Sequence, residues 1–145
     1  MDNISKFYKR WRSLSERDSL NASNLQRWCT NLTSAILSDA MLNGTNFSNA
    51  KLSSAKLKSA DLSDADFSRA NLSRADFSNT KLAFTTFNSA NLNRVNFGGA
   101  DLDSADFSGA KNLTPEQVKS AKNWDKAKYD KDFRAKLGLP PEKAK

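Results

Sequence analysis

The chain is 145 residues long, 27% of them charged, with a formal net charge of +7, no His and one Cys. That is one domain's length, and without His the commonest general base and metal ligand is missing. Cys29 alone can form neither an intramolecular disulfide nor a thiolate metal site, and it fits a reducing compartment.

In chain order, Asn3 to Leu14 is predicted as a short amphipathic helix. Ile4, Phe7, Tyr8, Trp11 and Leu14 recur at helical steps, and Lys6, Lys9, Arg10 and Arg12 occupy the other face. Such a helix can lie on a membrane or in a partner's groove; the stronger reading is a cover for the first unit of a stacked repeat. Met1 to Asp18 has no apolar run of signal-peptide length and no span nears membrane length, so a cytoplasmic location is expected. Within residues 18–32, Leu20 and Leu25 keep a five-residue step, with Asp18 and Ser23 two residues before each, but Leu25 to Leu32 is seven. The stretch reads as degenerate repeats followed by a two-residue bulge near Arg27 and Trp28. The alternative is a second helix after Ser15 with Asp18 as capping-box partner, although three Asn lower its propensity.

From Thr30 to Gly109 one five-residue pattern runs sixteen times without an insertion, and every centre from Leu32 to Phe107 is Leu or Phe. Two residues before each centre sits a small residue, eleven times Ala, four times Thr and once Val. Five is neither the period of a helix nor that of a strand, so the chain must turn at every repeat. A fixed period of this kind marks a solenoid, whose units bury their apolar face only by stacking. Every fourth centre gives uniform columns: Phe47, Phe67, Phe87, Phe107; Leu32, Leu52, Leu72, Leu92; and Leu42, Leu62, Leu82, Leu102. The fourth column, Leu37, Leu57, Phe77, Phe97, changes once. Side chains twenty residues apart therefore touch and sort by shape, which predicts a four-sided coil of twenty residues, four coils in all.

Runs such as Ala60 Asp61 Leu62 Ser63 Asp64 and Ala70 Asn71 Leu72 Ser73 Arg74 resemble the A(D/N)LXX pattern of the pentapeptide-repeat proteins, over a little more than half the chain. The resemblance implies an all-β solenoid, a right-handed quadrilateral parallel β-helix with helical caps. In it the centre and small residue point inward and the other three outward. Leu52, Leu62, Phe47, Phe67, Phe87 and Phe107 are then structural core, and the small position is Ala because each short side has room for one large side chain. The Ser, Asn and Asp after each centre suit corner turns.

A few outward residues break the polar rule. Ile36 and Met41 fall on the first coil, where the amino-terminal segment could cover them. Phe84 should point outward in the third coil, with Asp64 and Ser104 as column neighbours. Beside it the column Met41, Asp61, Lys81, Asp101 alternates in charge, as a stacked register favours. Phe84, Lys81, Asp61 and Asp101 are accordingly the candidate partner surface.

After Ala110 the pattern is expected to stop, because position 112 is Asn. Thr114, Pro115 and Gln117 make a strong helix start. A first helix to about Ala121 and a second from Asp130 to Leu137, ended by Gly138 and Pro140, present Val118, Ala121, Trp124, Tyr129, Phe133 and Leu137 to the last coil. Leu113 to Leu139 is similar to the carboxy-terminal helices of many cyanobacterial pentapeptide-repeat proteins. The expected division is thus a capping segment at 1–29 with its helix near 3–14, repeats at 30–111, a helical cap at 112–139 and a disordered tail at 140–145.

No Walker loop, G-x-G-x-x-G or G-x-S-x-G motif is present, so neither enzyme activity, nor a cofactor, nor a small-molecule substrate is expected. The repeats carry eight basic and eight acidic residues, while residues 1–29 carry six and three and residues 112–145 nine and five. Short basic ends are ordinarily solvated, and nucleic acid is not the expected partner. The expected role is a scaffold binding an unidentified protein, as a monomer or weak dimer. Some members of the resembled family bind DNA topoisomerases, gyrase included, by imitating duplex DNA with an acidic, dimeric rod. Neutral repeats and basic ends depart from that pattern.

Overall fold

The computed structural model describes residues 31–143. The helix expected near 3–14, the degenerate repeats at Leu20 and Leu25 with the bulge near Arg27 and Trp28, and the alternative second helix after Ser15 lie outside them. Each repeat bends in the same way. The small residue's N–H donates to the preceding centre's carbonyl, as in Ala35 to Leu32 at 3.0 Å, and the residue two after the centre is left-handed, with φ 59° at Ser34 and 60° at Asp39. Glycine, Asn and Asp tolerate that conformation, and Gly44, Gly99 and Gly109 are three of the corners.

A turn in every five residues leaves one residue per repeat free to pair. Successive coils are therefore joined by isolated parallel bridges twenty residues apart, from Asn31 with Lys51 to Asn91 with Lys111, and the sides are too short to count as strands. From Ile36 with Lys56 onward the bridges are double, as where the Lys56 N–H donates to the Ala35 carbonyl and the Leu37 N–H to the Lys56 carbonyl. The result is a repeat β-helix-type solenoid. The bridging residue is so often Asn or Asp because its side-chain oxygen accepts the N–H two residues on. Asp61 does this for Ser63, Asp66 for Ser68, Asn71 for Ser73 and Asp106 for Ser108.

The bore is filled by the centres. Leu52, Leu62, Phe67, Phe87 and most of their neighbours are fully buried. The Phe column stacks with centroid distances of 4.9, 5.4 and 4.9 Å from Phe47 through Phe67 and Phe87 to Phe107. Phe77 and Phe97, on the opposite side, form a second stack that meets the first edge to face, Phe67 against Phe77 at 5.5 Å and 89°. That is why the fourth column switches from Leu to Phe: the two stacks interlock across the bore. Buried Thr85 in the small position satisfies its hydroxyl on the Leu62 carbonyl at 2.9 Å.

The ladder continues past the repeats, where the sequence pattern predicts an end. Lys122 bridges Asp101 and Lys128 bridges Asp106, with spacings lengthened by the insertion of α1, Pro115–Lys119, and a 3-10 turn, Trp124–Lys126. Ala127, Lys128 and Tyr129 repeat the small, outward, large order, and the Tyr129 ring stacks on Phe107 at 5.4 Å. Where α1 displaces the ladder, side chains replace it. The Gln117 amide donates to the Leu92 and Val95 carbonyls, and Asp130 accepts the Gly109 N–H. Thr114 and Gln117 form the full capping box, and α2, Lys131–Leu137, ends on left-handed Gly138. Burial and the Asp125 carboxylate push the Tyr129 phenol well above its ordinary range, and its hydroxyl donates to the Trp124 carbonyl at 2.7 Å.

Candidate functional site

The bridging defines four sides. Side one carries Leu32, Leu52, Leu72 and Leu92; side two Leu37, Leu57, Phe77 and Phe97; side three Leu42, Leu62, Leu82 and Leu102; side four the Phe47 column. Asp61, Lys81 and Asp101 are consecutive bridging residues on side three, and Phe84 stands at the corner of the same side, its N–H donating to the Asp103 carbonyl at 3.0 Å. The four candidate residues are thus brought onto one surface.

Lys81 reaches one of its two acidic neighbours: its Nζ lies 3.6 Å from Asp61. Asp101 is engaged elsewhere, accepting the Asn123 amide at 2.8 Å and the Asp103 N–H at 3.1 Å. The Phe84 ring is 62% exposed while its backbone is left-handed at φ 58°, a conformation that bulky residues rarely adopt. Neither burial nor the turn accounts for a Phe there. Met41, 65% exposed, lies on the same side two coils away, and Ile36, 52% exposed, lies on side two.

Side three also shows what a whole-rod sum conceals. Asp61, Asp64, Asp101 and Asp103 face out beside Lys81, so within the repeats this side is acidic. Side one, across the coil, carries Lys51, Arg74, Arg94 and Lys111 and no acidic residue. Sorting the outward residues by the twenty-residue coil would have found this in the sequence. Among the described residues no three His, Cys, Asp or Glu side chains converge to hold a metal ion, and no helix is long and apolar enough to cross a membrane. What this surface can offer is contact: one exposed ring set against a charged, rigid ladder.

A family model of pentapeptide repeats, eight copies long, matches residues 30–69 and again residues 70–109. No curated protein matches the chain. Among solved structures, Rfr23, a pentapeptide repeat protein of the cyanobacterium Cyanothece 51142, is 28% identical over 70% of this chain and 61% of its own, with a TM-score of 0.36. The pentapeptide repeat protein alr5209 of Nostoc PCC 7120 is 25% identical over 74% of this chain and 91% of its own, with a TM-score of 0.35. HetL of Nostoc sp. strain PCC 7120, a pentapeptide repeat protein involved in heterocyst differentiation regulation, is 25% identical over 68% of this chain and 59% of its own, with a TM-score of 0.23. The chain thus spans about three fifths of the length of Rfr23 and of HetL.

Proposed function

The chain belongs to the pentapeptide-repeat family, and from that premise we propose that it is a non-enzymatic scaffold, a right-handed four-sided rod closed by helical caps, that binds a protein through side three. The observation that carries this reading is Phe84, a ring exposed at a corner whose left-handed backbone favours Asn or Gly. Asp61, Lys81 and Asp101 form the charged strip beside it, with the partner's apolar contact falling on the ring. A buried aromatic anchor inside a polar rim is the usual energetic layout of a protein interface. The single Cys fits action in a compartment that keeps thiols reduced, such as the cytoplasm.

A flat side about 20 Å long and about 10 Å wide, from coil and strand spacings, offers roughly 200 Å². Stable complexes bury about 800 Å² per partner. Two copies laid side on side therefore fall short, which favours a monomer or weak dimer and a partner that wraps the corner at Phe84. The alternative, a gyrase-binding imitation of duplex DNA, is disfavoured because the repeats carry as many basic as acidic residues and Lys81 interrupts Asp61 and Asp101 in the side-three bridging column, so no unbroken acidic row forms. The test is a quantitative pull-down with wild type and Phe84→Ser, with circular dichroism as the folding control. A partner held by wild type and lost by the variant supports the reading; equal retention overturns it. Dose-dependent inhibition of gyrase supercoiling at ordinary salt would favour the alternative.

A further inference from the structure

Side one carries a feature that the scaffold reading leaves unused. Its basic residues come one per coil over four consecutive coils, Lys51, Arg74, Arg94 and Lys111, all exposed, and among the described residues none is ion-paired. Elsewhere the stacked columns set opposite charges side by side: Lys56 with Asp76, Lys81 with Asp61 and Asp101, Asp106 with Lys128. Arg74 and Arg94 are the one place in the described repeats where like charges occupy the same column in neighbouring coils. Like charges so placed repel, and both residues sit at left-handed corners, φ 61° and 57°, that Asn or Gly would fill more easily.

Their floor is polar and stiff. The Asn91 amide donates to Ser73 at 3.0 Å, and the Asn112 amide donates to Asn91 at 2.9 Å. Among the described residues no aromatic or large apolar side chain is exposed on this side.

We propose that side one is a binding face for the phosphate backbone of double-stranded nucleic acid, read by charge and spacing without base contact. Coils about 4.8 Å apart place cations at intervals that flexible Arg and Lys side chains can match to successive phosphates, and guanidinium groups bind phosphate bidentately. A single strand would call for aromatic stacking platforms, a membrane surface for apolar side chains to insert, and an acidic protein for an apolar anchor; side one has none of these. The face lies across the rod from Phe84, so this inference is independent of the scaffold reading. It also revises the expectation that nucleic acid is not a partner, an expectation drawn from charge summed over whole segments.

The test is fluorescence anisotropy of the full chain with a labelled mixed-sequence duplex of about 20 base pairs, across a salt series. Four phosphate contacts give a slope of log K against log salt of about −3.6, or a roughly 50-fold loss between 50 and 150 mM. Arg74→Asn with Arg94→Asn, which the left-handed corners accept, should lower the slope by about two units and so divide the salt-dependent loss by a factor of about 7, whatever the basic ends add. Melting temperature is the folding control. Phe84→Ser and a change of duplex sequence should leave the slope alone. The proposal is overturned by no binding at 50 mM, by an unchanged slope in the double variant, or by tighter binding to phosphatidylserine vesicles or polyglutamate than to the duplex.

Discussion

Removing one ring from the middle of the Phe column tests the architecture most directly. Phe67 is fully buried, stacked between Phe47 at 4.9 Å and Phe87 at 5.4 Å, with the Phe77 edge at 5.5 Å. Truncating a buried Phe to Ala costs about 3–5 kcal/mol, and three aromatic pairs of about 0.5–1.5 kcal/mol each place Phe67→Ala at the upper end. The cavity cannot close easily, because the adjoining coils are held by backbone bonds such as Phe67 to Thr86 at 2.8 Å and Asp66 to Thr45 at 3.0 Å. Phe47, with Phe67 as its one ring neighbour among the described residues, should lose less, about 3 kcal/mol. Phe67→Leu should cost roughly 1–2 kcal/mol, since Leu fills the equivalent place on other sides. Urea unfolding reads all three as shifts in midpoint at constant slope. A Phe67→Ala loss under about 1 kcal/mol, or no gap between the Ala and Leu variants, would refute the interlocked stacks.

Deleting residues 113–145 should bare Phe107 and the open ladder edge, lowering the melting temperature and promoting self-association; sedimentation showing an equally heat-stable monomer would remove the capping role. For Asp106, burial raises the carboxyl's pKa, but the Ser108 hydroxyl and N–H together with Lys128 outweigh it and hold the group below its ordinary 3.8. As pH falls below 3.8 the unfolded chain takes up this proton before the folded one does, so the stabilisation present above that value is lost toward the lower folded pKa. Asp106→Asn should therefore flatten the acid limb of the stability profile, and an unchanged limb would contradict the assignment.

The period of five was enough to read the coil length, the Phe column and the inward positions, because each is enforced by contacts between residues twenty apart. The extension through Lys122 and Lys128 was hidden because α1 lengthens the spacing, and backbone bridging leaves no residue signature. The signal that remained was the order in Ala127, Lys128 and Tyr129, which matches Ala50, Lys51, Leu52 and Ala55, Lys56, Leu57. The role of Gln117 as a substitute for ladder carbonyl partners could not be read, since its capping-box function already explained it. For the surface, Phe84 was visible as an exception to the polar rule, whereas the basic side was lost by summing charge along the chain rather than around the coil.

In a solenoid of this kind the outward positions are not equivalent, and the difference separates structural residues from those retained for another reason. The bridging position favours Asn or Asp, which accept the following turn's N–H; the left-handed corner favours Gly, Asn, Asp and Ser. Most corners comply, among them Ser34, Asp39, Gly44, Asn49 and Ser54. Arg69, Arg74, Phe84 and Arg94 do not. Arg69 stands alone in its column between Asn49 and Ser89, so it adds no like-charge stack. Arg74 and Arg94 stack like on like, and Phe84 exposes a ring, so these three run against the turn and against a second preference as well. Two independent local costs at one position are hard to account for by the fold, which replacement by Asn would serve as well. Side one and the Phe84 corner of side three are the places where those doubly disfavoured residues fall.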